Sequence, residues 1–267
     1  MPVITIISDW NRGDFYLSAM KGKIISNLPG VQLVDISHGI SSFDYVRAAY
    51  IMRNTYRTFP KGTVHIICVD SEKKPQSPHI VVKHDNHYFI GAYNDVMKHI
   101  FIAPAREVWV LEHDLNTVFA DYEVFADVAV YLAQGGNVEN LGTKWDITLE
   151  AHLQLPRIDS NSMEGNPVYI DSYGNAITNI SLEDFTRVGK NRPFELYVLN
   201  KRYTLNKISK GYYEAKDGEL LALFNSSGWL ELALYRGNLA EMFNLSNKTP
   251  VIINFFDKTE ENQLILN

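Results

Sequence analysis

Residues 3–25 read VITIISDWNRGDFYLSAMKGKII. The apolar run Val3–Ile7 is typical of a buried strand, and the apolar residues of Phe15–Ile25 recur at helical spacing. The polar turn between them, residues 8–14, therefore follows the carboxyl end of a predicted strand. Ligands bind at this end of the strands in open α/β sheets, so the turn is the first candidate site.

Two carboxylates, Asp9 and Asp14, lie in this turn. Asp favours the first turn of a helix, so capping of the following helix explains Asp14 as well as ligand binding does. Asp9 directly leaves the buried strand and has Trp10 beside it, which makes a purely structural role harder to assign to it.

The composition is that of an ordinary globular protein, with 267 residues, 46% hydrophobic and 21% charged. A net charge of -6 argues against a nucleic-acid partner, because phosphate binding relies on Lys and Arg. No apolar stretch approaches the roughly 20 residues of a membrane span, and no signal-peptide pattern opens the chain, so we expect a cytoplasmic protein without a membrane partner. The one cysteine, Cys68, lies in an apolar run and predicts a buried, unreactive thiol.

Strands and helices alternate in the first half of the chain. Further strands are predicted at 31–36, 63–69, 80–83, 87–90 and 107–111, and helices at 44–56 and 122–134. Asp85 and Asn86 are expected to close a hairpin between two of these strands. The alternation predicts an α/β domain with a mixed, largely parallel sheet.

The second half has a different pattern. Residues 155–167 are polar and rich in turn formers, which predicts a linker, and short strand-like runs separated by turns follow it. This favours a small all-β barrel or sandwich. We therefore expect an N-terminal α/β domain at 1–158 and a smaller C-terminal β-barrel domain at 159–267.

Other patterns for chemistry are weak. Residues 171–179 form a dense polar turn that an Asx-rich hairpin loop explains, and residues 225–228 are a similar turn. The sequence has no metal-ligand spacing, no phosphate-binding loop and no nucleophile elbow for a Ser-His-Asp triad, so we expect no metal site.

Four stretches together resemble one family. They read ISDWNRGDFYLSAMKGKI, VDISHGISSFDYVRAAYIMRNTYRTFPKGTVHIICVD, IDSYGNAITNI and FNSSGWLELA. In this order they are similar to the motifs of the S-adenosylmethionine (SAM) hydroxide adenosyltransferases, or SAM hydrolases, which are relatives of the fluorinases and chlorinases. The resemblance spans nearly the whole chain.

The resemblance implies a homotrimer in which SAM, as substrate or ligand and without a further cofactor, lies between the N-terminal domain of one subunit and the C-terminal domain of its neighbour. Asp9 would bind the ribose 2′ and 3′ hydroxyls, since one carboxylate can accept hydrogen bonds from both members of a diol. Asp14 would face the methionine ammonium. Phe43 would stack on adenine.

The resemblance assigns the rest of the ligand to the C-terminal domain. Tyr173 would cover the other face of adenine, and Asn175 would hydrogen-bond its edge. Asp171 and Ser226 would bind the amino-acid end of SAM.

The implied reaction is an in-line displacement in which water attacks ribose C5′ and neutral methionine leaves. The family uses an Asp-Arg-His set for it, and Asp70 occupies the Asp position. The family continues into PGVGT-x-R-R, whereas this chain reads SEKKPQSPH, and the His of the family's F-H-G-R-D is replaced by Ala120. Lys73, Lys74 or His79 could supply the missing positive charge from the same loop.

Three hypotheses follow. The first is a SAM hydrolase, and the second is a catalytically impaired protein that binds SAM or adenosine on the same fold. The third is a structural trimer with a vestigial pocket. The ligand-binding positions persist while two catalytic positions differ, which favours the first two.

Overall fold

The structure, a computed structural model, describes residues 1–10, 13–112, 117–151 and 155–257. The chain divides into two compact units, Met1–His152 and Leu153–Asn267. This break lies slightly before the boundary that the sequence suggests after residue 158. Asn11 and Arg12 of the predicted polar turn lie outside the described residues.

The first unit is built on one mixed sheet. Its strands are β1 (Val3–Ser8), β2 (Gln32–Ser37), β3 (Val64–Cys68), β4 (His79–His84), β5 (His87–Ala92), β6 (Glu107–Leu111) and β7 (Gly142–Lys144). They lie in the order β2-β1-β3-β5-β4-β6-β7. Pairing is parallel from β2 to β5 and antiparallel from β5 to β7. The mixed sheet confirms the predicted fold class, although only its first half is parallel.

Helices cover both faces of this sheet. They are α1 (Tyr16–Asn27), α2 (Tyr45–Thr55), α3 (Asp95–Ile100) and α4 (Ala126–Ala133), with 3₁₀ turns at Tyr56–Thr58 and Val138–Asn140. Ile6 packs with Met20 of α1 and Ala129 of α4 in one core cluster, and Ile7 packs with Met52 of α2 in another. β1 is buried on both faces, and four of its six residues are therefore large and apolar.

The hairpin between β4 and β5 confirms its prediction. Asp85 and Asn86 both have positive φ, 50° and 63°, as the mirror-image turn of a tight hairpin requires. The helix predicted at 122–134 begins instead with a π-helical turn, Asp121–Phe125, and continues as α4.

The second unit consists of antiparallel sheets around a main core, with a smaller apolar cluster that includes Leu221 and Leu223. Its strands are β8 (Arg157–Ile158), β9 (Ser162–Gly165), β10 (Pro167–Ile170), β11 (Ala176–Ser181), β12 (Phe194–Val198), β13 (Thr204–Leu205), β14 (Leu220–Phe224), β15 (Trp229–Leu234) and β16 (Val251–Phe255). One sheet has the order β10-β11-β15-β14 and the other β13-β12-β16-β9-β8. Leu196, Leu232 and Ile253 belong to the shared core.

Two expectations for this unit were incomplete. The predicted linker at 155–167 contains β8 and β9, and β9 pairs with β16, so Met163 lies opposite Ile253. The unit also contains helices α5 (Leu182–Gly189) and α6 (Leu239–Phe243) and a 3₁₀ turn at Tyr212–Glu214, so it is not all-β. Across the described ranges, no helix combines the length and apolar character needed to span a bilayer.

Candidate functional site

The order of the strands creates a crevice at the carboxyl end of β1. β2 pairs with one side of β1 and β3 with the other, and all three are parallel. The chain therefore switches from one side of β1 to the other, and the loops that leave β1 and β3 diverge. This is the position at which α/β sheets bind ligands.

A cleft of about 940 Å³ lies at this position. It is lined by the loops that follow β1, β2 and β3, and it brings together Asp9, Asp14, Phe43 and Asp70. These are the four residues of the first unit to which the sequence assigns a role.

Asp9 is held by segments far from it in sequence. Its backbone N–H donates to the carbonyl of Cys68 at 3.2 Å, which extends the pairing of β1 with β3. Its Oδ2 accepts the backbone N–H of Phe43 at 3.1 Å. Phe43 has a φ of 65° and its side chain is 62% exposed, so a left-handed backbone aims the N–H at Asp9 while the ring stays accessible.

Asp14 does not cap α1. The helix begins at Tyr16, and its cap residue, Phe15, makes no side-chain capping hydrogen bond. The first turn of α1 contains no acidic residue either. Asp14 is instead an exposed carboxylate on the wall of the cleft, so the capping explanation is wrong.

Asp70 is fixed by two side chains. The hydroxyl of Tyr45 donates to its Oδ2 at 2.9 Å, and the ammonium of Lys74 donates to its Oδ1 at 2.9 Å. These hydrogen bonds raise the pKa of both Tyr45 and Lys74. The backbone of Asp70 is left-handed, with a φ of 42°, a conformation that is uncommon for a residue other than Gly and is often found at functional sites.

The loop after β3 holds Lys74 in place without the glycines of the family pattern. Lys74 and Ser77 exchange backbone hydrogen bonds of 2.9 and 3.3 Å, which close a tight turn. The side chain of Asn94 donates to the carbonyls of Val69 and Asp70 at 2.8 and 3.2 Å, and its Oδ1 caps α3. The loop is therefore tied to the start of α3 at one end and to its own turn at the other.

Of the three side chains that the sequence offers for the missing arginine, Lys74 contacts Asp70. His79 is fully buried, and its Nε2 contacts the carbonyl of Ser71 at 2.7 Å, where the nitrogen must donate. Lys73 lines an adjoining cavity.

In the second unit, Asp171, Tyr173 and Asn175 line a separate cavity of about 750 Å³. Tyr173 is 77% exposed, whereas Asn175 is buried. Ser226 is exposed in the turn between β14 and β15, outside the lining of this cavity.

Asp171 organises its own loop. Its Oδ1 accepts the backbone N–H groups of Tyr173 and Asn175, both at 2.9 Å, and its Oδ2 accepts the side-chain amide of Asn175 at 3.1 Å. Gly174 has a φ of +81°, and a Cβ there would meet Asn238 Oδ1 at 1.9 Å, so the turn requires glycine. The Asx-rich loop that composition alone suggests is therefore present.

Comparison with known proteins identifies the family of this chain. A family model described as the SAM hydroxide adenosyltransferase N-terminal domain matches residues 4–142, and the model of the C-terminal domain matches residues 165–252. The chain belongs to the SAM hydroxide adenosyltransferase family.

Relatives of the family span nearly the full chain. An (R)-S-adenosyl-L-methionine hydrolase from Methanocaldococcus jannaschii is 23% identical over 92% of this chain and 93% of the relative, and one from Thermus thermophilus is 25% identical over 94% and 99%. A fluorinase from Nocardia brasiliensis is 24% identical over 91% and 94%. The solved structure of an uncharacterized conserved protein from Thermotoga maritima has the same fold, with a TM-score of 0.81 and 22% identity over 94% of this chain and 99% of that one.

A second cavity in the first unit, of about 900 Å³, adjoins the cleft and shares Trp10, Ser71 and Glu72 with it. Beside Ala120, where the family pattern has histidine, Asp121 reaches this cavity. Asp121 is only 5% exposed, and Ser71 Oγ donates to its Oδ2 at 2.6 Å. Sequence reasoning missed Asp121, although a carboxylate next to a replaced family histidine is a signal that could have pointed to it.

Ser8, His38 and Asp35 also lie in line, but they do not form a hydrolase triad. Ser8 Oγ is 2.7 Å from His38 Nδ1, and His38 Nε2 is 3.3 Å from Asp35 Oδ1. Ser8 has no exposed surface, so its hydroxyl cannot reach a substrate. The arrangement joins the ends of β1 and β2 beneath the cleft.

Proposed function

We propose that this protein binds S-adenosylmethionine and hydrolyses it to adenosine and methionine. The observation that carries the proposal is the pair of carboxylates Asp9 and Asp70, which line the cleft at the carboxyl end of β1 in a chain that belongs to this family. Asp9 suits a ribose, and Asp70 suits the placement of a water molecule.

Asp9 has the hydrogen-bonding capacity that a ribose diol needs. Its two oxygens offer about four lone-pair positions, and the N–H of Phe43 uses one of them. Asp14 supplies a second negative charge in the same cleft, which suits the ammonium group of the methionine part. The exposed ring of Phe43 offers a flat face to adenine.

The chemistry requires little beyond positioning. Water attacks ribose C5′ in line with the sulfonium, the C5′–S bond breaks, and its electron pair goes to sulfur, which leaves as neutral methionine. Asp70 accepts a hydrogen bond from the water and orients it, and Tyr45 and Lys74 hold the carboxylate in one position.

Residues of the second unit complete the proposal. Tyr173, with most of its ring exposed, covers adenine, and Asn175 hydrogen-bonds its edge. Asp171 accepts three hydrogen bonds from its own loop, which leaves a lone pair on Oδ2 for the amino-acid end of SAM. Ser226 supplies a second contact to the same end.

A second candidate function is binding of SAM or adenosine without turnover. Ala120 favours it, because the family pattern has a histidine of the catalytic set at this position and the side chain of alanine can neither donate nor accept a proton. Lys74 on Asp70 favours turnover, since a cation is retained where the family's arginine is missing.

Incubation of the pure protein with SAM separates the two candidates. We expect adenosine and methionine in equal amounts by chromatography, and calorimetry should show binding of SAM. Binding without adenosine would leave the second candidate, and absence of binding would overturn both.

The proposal includes the homotrimer and the cytoplasmic location that the sequence suggests. Light scattering of the purified protein measures the first, and cell fractionation measures the second. A monomer that hydrolyses SAM at full rate would contradict a site shared between subunits.

A further inference from the structure

Asp121 is a buried carboxyl group at the edge of the candidate site. It lies at the start of the helical segment that leads into α4, directly after Ala120, and it lines the cavity of about 900 Å³. This cavity is continuous in its lining with the cleft of Asp9 and Asp70, because Trp10, Ser71 and Glu72 border both.

The two oxygens of Asp121 differ. Oδ2 accepts the Ser71 hydroxyl at 2.6 Å, whereas Oδ1 is buried and has no hydrogen-bond partner among the described residues. Buried polar atoms nearly always have a partner, so one without a partner needs an explanation. A carboxyl group that takes up a proton accounts for it, and because Oδ1 has no exposed surface, the proton reaches the carboxyl group through the Ser71 hydroxyl on Oδ2.

Ser71 connects this carboxyl group to Asp70. The two residues are consecutive, and Ser71 is fixed from both sides, by its hydroxyl on Asp121 and by its carbonyl on His79 Nε2 at 2.7 Å. A change in the position of Asp121 is therefore transmitted to the loop that carries Asp70 and Lys74.

We propose that Asp121 accepts the proton of the attacking water, in place of the family histidine that Ala120 replaces. This inference rests on the proposed hydrolysis of SAM. The water oxygen forms a bond to ribose C5′ and its proton moves to Ser71 Oγ, while the Ser71 hydroxyl proton moves to Asp121 Oδ2. The electron pair of the breaking C5′–S bond goes to the sulfur. Asp70, the residue before Ser71, orients the same water.

The surroundings of Asp121 suit a base that works near neutral pH. Burial and the charge of Asp9 raise its pKa and the hydrogen bonds of Ser71 and Cys68 lower it, with a net pKa of about 6. His79 holds the carbonyl of Ser71, and Glu72, Lys73 and Lys74 are the charged groups on the wall of the same cavity. A carboxyl group with this pKa is ionised at pH 7 and still basic enough to accept a proton.

The test compares Asp121→Asn with Glu123→Gln, an exposed carboxylate two residues away in the same helical turn. Asn keeps the size of the side chain and an oxygen for Ser71, but it cannot accept a proton. We expect Asp121→Asn to lower kcat by about hundredfold or more, the usual contribution of a positioned base, with Kd for SAM unchanged. Glu123→Gln should behave as the parent does.

The pH profile distinguishes a base from a structural residue. The kcat of the parent should fall as the pH drops below about 6, and this limb should be absent from the residual activity of Asp121→Asn. If the substitution only made the loop less rigid, kcat would be lower at every pH but would still fall below pH 6 as it does in the parent. A parent-like kcat in Asp121→Asn, or an unchanged acid limb at reduced rate, would overturn the role of Asp121 while the hydrolysis itself stands.

A swap towards the family pattern gives a second, independent test. Asp121→Gly alone should lose activity, and Ala120→His combined with Asp121→Gly should recover part of it, because the histidine returns a base to the site. If the double variant folds and binds SAM but recovers no activity, Asp121 does not replace the family histidine as the base. A parent that binds SAM and releases no adenosine would overturn the proposed hydrolysis and this inference together.

Discussion

Asp9 and Asp171 both follow a β-strand and both stand in motifs of the family, but the structure uses their carboxylates differently. Among the described residues, the Asp9 carboxylate accepts one hydrogen bond, from Phe43, which is 34 residues away in the chain. Asp171 accepts three, all from Tyr173 and Asn175 in its own loop. The carboxylate of Asp9 keeps most of its lone pairs for hydrogen bonds to a ligand, whereas the carboxylate of Asp171 uses most of its lone pairs to stabilise its own loop.

The difference shows how to separate a binding carboxylate from a structural one. A carboxylate that N–H groups of its own turn surround stabilises that turn, as Asx turns do. A carboxylate that distant segments hold in place, with lone pairs left over, is prepared for a ligand. Asp70 combines the two, because Tyr45 of α2 holds its Oδ2 and Lys74 of its own loop holds its Oδ1.

The largest effect is expected for Asp9→Ala. Loss of both hydrogen bonds to the ribose should weaken SAM binding by about 3 to 6 kcal/mol, because a hydrogen bond to a charged group contributes about 1.5 to 3 kcal/mol. The melting temperature should hardly change. Calorimetry measures the binding, with Asp146→Ala, an exposed carboxylate of the same unit, as the control. Binding of SAM by Asp9→Ala with parental affinity would disprove the assignment of the cleft.

Asp121→Asn should stabilise the fold at neutral pH. The pKa of Asp121 is raised from 3.8 to about 6 in the folded protein, so the folded state binds the proton more tightly than the unfolded chain does. The free energy of unfolding therefore falls as the pH rises from 3.8 to about 6, and the parent should lose about 3 kcal/mol over this window. Urea unfolding at pH 7.5 should show Asp121→Asn to be more stable by that amount, and the gain should vanish near pH 4. An equal gain at both pH values would indicate that ionisation is not its cause.

Removal of the charge beside Asp70 should impair catalysis more than binding. Lys74→Met should lower kcat by about tenfold to hundredfold, because Asp70 is then held by Tyr45 alone and the water loses its orientation. Lys74→Arg should restore much of the rate. Lys61→Met is the control, because Lys61 is exposed in the turn that precedes the first residue of β3, at the end of the strand far from Asp70. Steady-state assays that find equal kcat values for Lys74→Met and the control would exclude Lys74 as the substitute for the family's arginine.

Asp171→Ala should show the opposite profile to Asp9→Ala. It removes the acceptor of three loop hydrogen bonds, so we expect a loss of stability of about 1 to 2 kcal/mol, comparable to the loss of a helix cap. SAM binding should weaken less than in Asp9→Ala. Asp217→Ala, an exposed carboxylate of the same unit, serves as the control in thermal unfolding. A variant with unchanged stability and strongly reduced affinity would reverse the distinction between the two carboxylates.

Much of the fold can be predicted from local patterns. β6 has the bounds that its apolar run predicts, 107–111, and the hairpin follows from Asp85 and Asn86. The short strands β8 and β9 could not be predicted from their polar sequence, because β9 pairs with β16, about ninety residues later, and β8 forms only by pairing with β9. Helix α5 was missed because it has only eight residues, although Ser181 caps it through the N–H of Asp184.

The candidate site divides in the same way. Asp9 and Asp70 can be found from the sequence because each directly follows a buried strand. The sequence does not show which of Lys73, Lys74 and His79 contacts Asp70. That depends on the turn that Lys74 closes with Ser77. The burial of Asp121 depends on packing between α4 and the sheet, which no local pattern encodes.

Hydrolysis of SAM in water enriched in ¹⁸O tests the central claim most directly. Attack of water on ribose C5′ must place the solvent oxygen in the 5′ hydroxyl of adenosine, and mass spectrometry reads this label. We predict one ¹⁸O atom in each adenosine molecule, unlabelled methionine, and no product from a variant with Asp9→Ala. Absence of adenosine, or adenosine without the label, would contradict displacement by water at the cleft of Asp9 and Asp70.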